Sequence, residues 1–328
     1  MSKGRTLWRA PSRVRFWNEK AGKRVEIDLS NPRLAEGEEV LWRYVEHKGL
    51  AKKRVAEERV ITNYRIFDYD HERGEMTCAV PLMNADLVVT LTMFRSESGA
   101  VNLVGVSEDG EPVFDFAPVD VRNFGCIAVV AYGVVNAEFL VEEPAKLKKL
   151  IDAVKRARYG EPVYEPLVRV SREASILTVE PVNPGYPGPV GVRVDLYQPE
   201  LAWGELSIRR LVESRGEGDG VVFITHCRVF GLSRDRDVEY SIPLVDAEFL
   251  VESVEPVRKG RLKSPVMLNH TWLEFYGKLS KDTYFRVGDV AVLSGGSIVA
   301  RWKNVLDPYG LKNLVDTVKA QLYGFRFE

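Results

Sequence analysis

One apolar segment occurs twice in this chain, half a chain apart, and it restricts the fold more than any other feature. The two copies share an Ile-Thr pair and, after it, an Arg followed by two apolar residues. Such a density of β-branched and aromatic residues favours strands, so we expect a strand pair at the same place in two related units. The copies read Val60-Ile61-Thr62-Asn63-Tyr64-Arg65-Ile66-Phe67 and Val222-Phe223-Ile224-Thr225-His226-Cys227-Arg228-Val229-Phe230.

Other segments repeat in the same order. The spacing between the copies changes by a few residues along the chain, as insertions in loops would cause. The matched segments are Val25 to Pro32 with Val192 to Pro199, Glu39 to Trp42 with Glu200 to Trp203, Val80 to Leu82 with Ile242 to Leu244, and Pro144 to Gly160 with Pro308 to Gly324. We therefore expect two copies of one unit, with Trp42 and Trp203 in equivalent strands.

Each copy is predicted to contain about seven strands and to end in an amphipathic helix. One predicted strand of the second copy is Trp272 to Tyr276. The helices are indicated by apolar residues at the spacing of one helical face, and Gly160 and Gly324 stand where helices commonly end. The apolar residues are Leu147, Leu150, Ile151 and Val154 in the first copy, and Leu311, Leu314, Val315 and Val318 in the second.

The order of these signals resembles the bacterial and archaeal PH-like (pleckstrin-homology-like) domains. It runs from Gly37-Glu38-Glu39 through an apolar strand, an Ile-Thr-Asn-Tyr-Arg-Ile hairpin and a Val-Pro-Leu strand end to a terminal helix, over residues 36–160 and, more weakly, 198–324. The resemblance implies a mainly β protein with α-helices. It would contain two PH-like β-barrel units in tandem, residues 1–160 and 161–328, each of about seven antiparallel strands capped by a C-terminal helix.

Composition restricts the class of protein. A chain of 328 residues, 45% hydrophobic and 28% charged, is long enough for two cores. Its apolar runs are shorter than the ~20 residues of a membrane-spanning helix, so we expect a cytoplasmic protein. Cys78, Cys126 and Cys227 are widely separated, which predicts buried thiols and no disulfides. Scarce Gln and abundant Glu, Lys and Arg are typical of thermophile proteins.

The sequence contains no pattern that specifies a reaction, a metal site or a cofactor. Its four histidines, His47, His71, His226 and His270, lack metal-ligand spacing, and a Gly-x-Ser-x-Gly nucleophile motif does not occur. The run Ser294 to Ser297 has the wrong spacing for a phosphate loop and predicts a hairpin turn. We therefore expect a non-enzymatic protein without a cofactor or small-molecule substrate. An enzyme site between the two units stays open, with no residues assigned to it.

A basic cluster follows the Trp42 strand. It contains Lys48, Lys52, Lys53 and Arg54. In PH domains that bind lipids, Lys and Arg of the first hairpin hold phosphoinositide head groups, and this cluster looks similar. The second copy has Arg209, Arg210 and Arg215 without that spacing. Short basic motifs also arise by chance, so a solvated loop is the alternative to an anionic membrane site.

The first 25 residues combine cations with aromatic side chains. Candidate nucleic-acid contacts are Arg5, Trp8, Arg9, Arg13, Arg15 and Trp17. Phosphate backbones and stacked bases require such residues, so an arm that binds RNA or the ribosome is one interpretation. The other is a basic hairpin in which Arg13 to Trp17 pairs with Lys23 to Ile27 against the body of the protein.

The leading hypothesis from the sequence is a binding or adaptor protein that contacts a protein partner or an anionic membrane surface. Two linked modules gain avidity when both bind at once. Peripheral membrane association would then accompany a cytoplasmic location. The RNA- or ribosome-associated protein is the alternative hypothesis.

Overall fold

The computed structural model of the protein describes residues 13–18, 23–48, 54–96, 103–106, 112–114, 121–183, 185, 188, 191–214, 220–262 and 264–324. In this part of the chain the strands form five sheets, and three α-helices accompany them. No helix among these residues is both long and apolar enough to cross a membrane.

An antiparallel hairpin precedes the first large sheet. It consists of β1 (Arg13–Asn18) and β2 (Lys23–Asp28), with Arg13 opposite Asp28. Ile27 is buried, and Val14 and Val25 pack against the same small cluster as Tyr64. The predicted basic hairpin is therefore present, and its apolar side chains attach it to the first half.

The remaining strands of the first half form a four-stranded meander, a long strand and two hairpins, followed by a helix. The meander is β3 (Val40–Lys48), β4 (Arg54–Thr62), β5 (Arg65–Asp70) and β6 (Glu75–Pro81). After it come β7 (Ala85–Ser96), β8 (Leu103–Val106), β9 (Pro112–Phe114), β10 (Val121–Ala131), β11 (Val134–Glu142) and α1 (Pro144–Tyr159).

The second half begins with a three-stranded sheet and then follows a similar order of elements. The three strands are β12 (Val168–Glu173), β13 (Ile176–Pro181) and β14 (Val192–Asp195). A meander follows, made of β15 (Ser207–Glu213), β16 (Val221–Thr225), β17 (Arg228–Leu232) and β18 (Val238–Pro243). The last elements are β19 (Ala247–Arg258), β20 (Met267–Asn269), α2 (Leu273–Lys278), β21 (Tyr284–Ser294), β22 (Ser297–Leu306) and α3 (Pro308–Tyr323).

The prediction of two separate β-barrels, each capped by a helix, is wrong. The largest sheet has eleven strands in the order β11-β10-β7-β21-β22-β20-β15-β16-β17-β18, with β19 beside β21, and none of the sheets closes into a barrel. It joins the halves where Phe94 pairs with Tyr284 and Met93 with Phe285. Apolar patterning predicts which side chains are buried, but it does not identify the strand that pairs with the edge of β7.

Two local predictions for the second half are also wrong. Trp203 lies in a turn and is 76% exposed. In the second half, Arg209 occupies the strand position that Trp42 occupies in the first. The registers establish this equivalence, because Trp42 pairs with Ile61 as Arg209 pairs with Ile224. The predicted strand Trp272 to Tyr276 is instead a short helical segment, since its apolar residues pack into a cluster that tertiary structure provides.

Both predicted terminal helices are present. Each begins at a proline after a residue with φ of 49°, Glu143 before α1 and Asp307 before α3. Proline suits this first helical position because its missing N–H needs no partner there. Helix α3 is buried along most of its length, whereas Leu150 of α1 is 49% exposed. The second helix therefore lies deeper in the protein than the first.

A buried arginine holds the meander of each half to the loop before it. Arg65 is fully buried, and its Nε donates to Glu38 Oε1 at 2.8 Å. Its terminal nitrogens donate to the main-chain carbonyls of Asp28, Asn31 and Arg33. Thr62 donates its hydroxyl to the same Glu38 oxygen at 2.8 Å. Burial removes the guanidinium of Arg65 from water, and these protein acceptors replace the hydrogen bonds that water would make.

The second half contains the same arrangement. Arg228 donates to Glu205 Oε1 at 3.0 Å, and Thr225 donates its hydroxyl to that carboxylate at 2.8 Å. The guanidinium also donates to four main-chain carbonyls, those of Asp195, Leu196, Gln198 and Glu200. We call each set of Arg, Glu and Thr the buried arginine cluster of its half.

In the turn beside each buried arginine cluster, a side chain accepts a hydrogen bond from a main-chain N–H, but the residue type differs between the halves. Asn63 accepts a hydrogen bond from the N–H of Glu39 at 2.9 Å, and His226 Nδ1 accepts from the N–H of Leu206 at 3.0 Å. Burial lowers the pKa of His226 to about 4. The ring is therefore neutral at pH 7, as an acceptor nitrogen requires.

Replacing Arg65 or Arg228 by Leu should lower the free energy of unfolding by about 3–5 kcal/mol, because the buried Glu38 or Glu205 would lose its charged partner. Arg13→Leu is the matched control, since its ion pair with Glu26 is largely exposed and its loss should change the stability little. Denaturant unfolding measures these values. Equal losses in all three variants would contradict a special role for the buried arginine clusters.

Stability should fall as the pH decreases through the range between the two pKa values of His226. The unfolded chain, with a pKa near 6.5, binds a proton there that the folded state rejects until about pH 4. The loss should reach about 3 kcal/mol at the acid end. His226→Asn introduces the residue type that the first half has at the equivalent position, Asn63. It should remove this contribution to the pH dependence of stability. His270→Asn, at an exposed histidine, should retain it in pH-dependent denaturant titrations.

Candidate functional site

A groove of about 710 Å³ lies between the two halves, and we call it the junction groove. The first half contributes Arg59 and the segment from Val135 to Leu140, without Phe139. The second half contributes Ser207 to Arg210 of β15, Asn269 to Trp272, and Phe275. The volume is in the ~300–1,000 Å³ range of ligand sites, and it exists only because the halves share a sheet.

Three arginines line the junction groove, and each packs against an aromatic ring. The guanidinium carbon of Arg59 is 5.6 Å from the Phe139 ring centre, that of Arg209 is 5.6 Å from Trp272, and that of Arg210 is 5.6 Å from Phe223. Cations at this distance are attracted to the ring faces. The rings therefore hold the three cations in place before any ligand arrives.

Glu138 is the one carboxylate among the described residues that line the groove. Its Oε1 accepts from the hydroxyl of Thr90 at 2.5 Å and from Arg209 at 2.7 Å, and its Oε2 accepts from the indole of Trp272 at 3.1 Å. The two oxygens are thus occupied by donors from both halves. This network fixes one wall of the groove to the other.

The groove is lined by three arginines and one carboxylate. Arg209 pairs with Glu138 at 2.7 Å, and Arg59 pairs with Glu57 at 2.7 Å and with Asp68 at 3.6 Å, two carboxylates that do not line the groove. Burial lowers the pKa of Arg210, and the nearby positive charge of Arg236 lowers it further. An anion beside Arg210 would relieve both effects, because it stabilises the charged guanidinium.

Asn269 adds a neutral donor. The residue is 5% exposed, and its Oδ1 accepts from the N–H of Thr271, so its Nδ2 is the donor of the side chain. Cys126 also lines the groove, and burial raises its pKa far above the usual range. Its thiol is therefore protonated, which argues against a nucleophile. The arrangement is suited to hold a ligand that accepts hydrogen bonds.

A second cleft, of about 860 Å³, is lined by α1, α3 and the linker after α1. Its cations face carboxylates within the described residues: Lys155 contacts Asp86 at 2.9 Å, and Lys148 and Lys312 pair with the aspartate four residues later. Asp86 also accepts from Gln321 at 2.6 Å. Arg59 and Arg209 of the junction groove are paired in the same way, but the groove is the stronger candidate because three arginines packed on aromatic rings line it. No group of three or more potential metal ligands occurs among the described residues.

The structure places part of the predicted membrane cluster at the tip of the hairpin β3–β4. Lys48 is paired directly with Arg54 across the two strands. Lys52 and Lys53 lie outside the described residues. The hairpin location agrees with the sequence interpretation, and lipid binding by this cluster stays a prediction.

The predicted nucleic-acid arm lies only partly within the described residues. Arg13 and Arg15 on β1 donate to the two oxygens of Glu26, at 3.2 and 3.0 Å. The hydrogen bond from Arg15 is the main reason that the pKa of Glu26 is lowered. Trp17 belongs to β1, but its side chain is outside the described residues, as are Arg5, Trp8 and Arg9. RNA binding stays a prediction.

Sequence reasoning missed the junction groove. Arg209 and Arg210 were noticeable only as cations without lipid-site spacing, and Arg59 follows two glutamates in a strand. One signal was available: in the corrected alignment a cation, Arg209, replaces the aromatic Trp42 at an equivalent strand position. A cation at a position that is aromatic in the other half needs an oppositely charged partner if it is buried, and here that partner is Glu138.

No family model and no curated protein matches this chain. These comparisons leave the resemblance to PH-like domains as an expectation from the sequence alone. The geometry of the junction groove is therefore the basis for inferring function.

Proposed function

We propose that this protein is a non-enzymatic binding protein that holds an anionic partner in the junction groove. The observation that carries the proposal is the set of three ring-packed arginines that line the groove, of which Arg59 and Arg209 are also held by ion pairs. Guanidinium groups bind carboxylates and phosphates through two parallel hydrogen bonds. Groups held in place before binding lose less entropy when the partner arrives.

We also propose that the two halves are copies of one ancestral unit. Support comes from the two buried arginine clusters and from the equivalent roles of Asn63 and His226. Residues that differ at equivalent positions of the two copies then indicate where the binding site arose. Arg209 is such a difference, because the first half has Trp42 there.

Tripolyphosphate should raise the melting temperature of the protein by about 5 °C at 100 times its Kd, which corresponds to about 2.7 kcal/mol of linkage. Arg210→Glu should abolish the shift, because it replaces a cation of the groove by a carboxylate. Glu138→Gln should enlarge the shift per unit concentration, because the groove loses its negative charge. Thermal unfolding followed by tryptophan fluorescence measures all three.

The matched control is Arg169→Glu, at an exposed residue of β12 that does not line the groove. It reverses the same charge and should retain the full shift. An equal loss in Arg169→Glu and Arg210→Glu would reduce the effect to net charge and would remove the groove as the site.

A second candidate function is contact with an anionic membrane through the tip of the hairpin β3–β4. The observation in its favour is the direct pairing of Lys48 with Arg54, which concentrates cations at one end of the hairpin. Each Lys or Arg near an anionic surface contributes about 1 kcal/mol. The junction groove and this tip are distinct, so the two proposals can be tested separately.

Vesicles with anionic lipid should carry the protein upward in a low-salt flotation experiment. Replacing Lys52, Lys53 and Arg54 by Ala should reduce recovery about tenfold or more, since three cations near the surface are lost. The control replaces three exposed cations of α1, Lys146, Lys149 and Arg156, by Ala. Recovery that is the same for the hairpin variant and the unmodified protein would sink the membrane proposal.

A further inference from the structure

We propose that the anionic partner is an extended acidic segment of another protein, which binds in the junction groove as an additional β-strand between β11 and β15. This inference rests on the proposed function and specifies the class of partner. It follows from three features of the groove: two strand edges, the space between them and the charge that lines it.

The first wall is an edge strand. Within the described residues β11 pairs with β10 and with no other strand, so it ends the eleven-stranded sheet. Successive side chains of a strand point to opposite faces. Yet Val135, Asn136, Ala137 and Glu138, which follow one another, all line the groove. The groove therefore runs along the edge of β11, where main-chain groups lie, rather than over one face.

The second wall is the first part of β15. On one side it pairs with β16, and on the other side β20 covers only Leu211 to Glu213. The stretch Ser207 to Arg210, which precedes the part covered by β20, lines the groove. Two strand edges from different halves thus border the same space, and no ladder between β11 and β15 exists in the described residues.

The added strand would lie between the two edges. The two walls are joined by side chains, with Arg209 Nη2 2.7 Å from Glu138 Oε1. Adjacent strands lie about 4.8 Å apart, so a strand inserted between two edges needs about 10 Å between them. Unpaired strand edges readily accept a further strand. Peptide recognition by strand addition uses such an edge for main-chain hydrogen bonds and alternate side chains for specificity.

Charge and burial specify the sequence of the added strand. Alternate side chains of the segment should be Asp or Glu, since Arg59, Arg209 and Arg210 surround the space. Side chains on the other face should be apolar, because Leu140, which is 43% exposed, and the half-buried Phe275 also line it. Asn269 can donate its Nδ2 to a carboxylate or to a main-chain carbonyl.

Fluorescein-labelled peptides of eight residues, capped at both ends, provide the test. Three peptides alternate Glu with Val, Glu with Phe, and Asp with Leu, and each is also made with N-methyl groups on alternate amides, in both phases. N-methylation keeps the charges and side chains but removes donors to a strand edge. We expect at least one peptide to bind, as measured by anisotropy, and methylation in either phase to weaken it tenfold or more.

Two further measurements accompany the titrations. Bound peptide should slow amide hydrogen exchange at residues 135–140 and 207–210, whereas tripolyphosphate should not. Arg210→Glu should weaken the peptide tenfold or more, and Arg169→Glu should not. Vesicles containing phosphatidylglycerol should fail to displace the peptide.

The outcomes separate this inference from the proposed function. Three results would each overturn strand addition. They are equal affinity of methylated and unmethylated peptides, displacement of the peptide by the vesicles, and failure of every peptide to bind. In each case a tripolyphosphate shift that depends on Arg210 would leave the anion site standing. Loss of both the tripolyphosphate shift and peptide binding would overturn the proposed function as well.

Discussion

The ion pair between a fully buried arginine and a buried glutamate is the interaction on which each half of this protein depends. Removing two charges from water costs several kcal/mol per ion, and Arg65 recovers that cost through Glu38 and three main-chain carbonyls. Those carbonyls belong to the end of β2 and to the loop between β2 and β3, so this segment is fixed to the turn between β4 and β5. Arg228 and Glu205 do the same in the second half. The strands of both meanders are thereby held at defined positions relative to their preceding segments.

A second set of buried polar contacts joins the halves. Asp307 pairs with Arg286 at 2.6 Å and accepts from the N–H of Thr92 in the first half at 2.8 Å. Gln321 of α3 accepts from the N–H of Gly133 in the first half at 2.8 Å. Unpaired groups at these depths would be costly, so the contacts specify one arrangement of the halves. That arrangement places β11 opposite β15 and creates the junction groove.

The groove shows how two similar halves acquire one asymmetric site. The second half has Arg209 where the first has Trp42, and this cation meets Glu138 of the first half. Trp42 instead stacks on Phe139, 6.2 Å away, beside the guanidinium of Arg59. The same strand position thus carries a ring that stacks on Phe139 in the first half and a charge that lines the groove in the second. The proposed anionic strand would use both the cations and the open edges.

The sequence by itself indicated local elements: the strand pair around each Ile-Thr segment and the two terminal helices follow from turn residues, β-branched side chains and apolar stripes, and the basic hairpin was one of two interpretations of the first residues. It also placed the Ile-Thr and Arg segments at equivalent turns. Tertiary structure alone decided that the halves share one open sheet, that Trp272 to Tyr276 is helical, and which residues form the groove. Arg209 and Trp272 are 71 and 134 residues from Glu138, which both contact. The physical reason is that periodicity reports which face of an element is buried, whereas the partner of a strand edge is chosen by packing between distant segments.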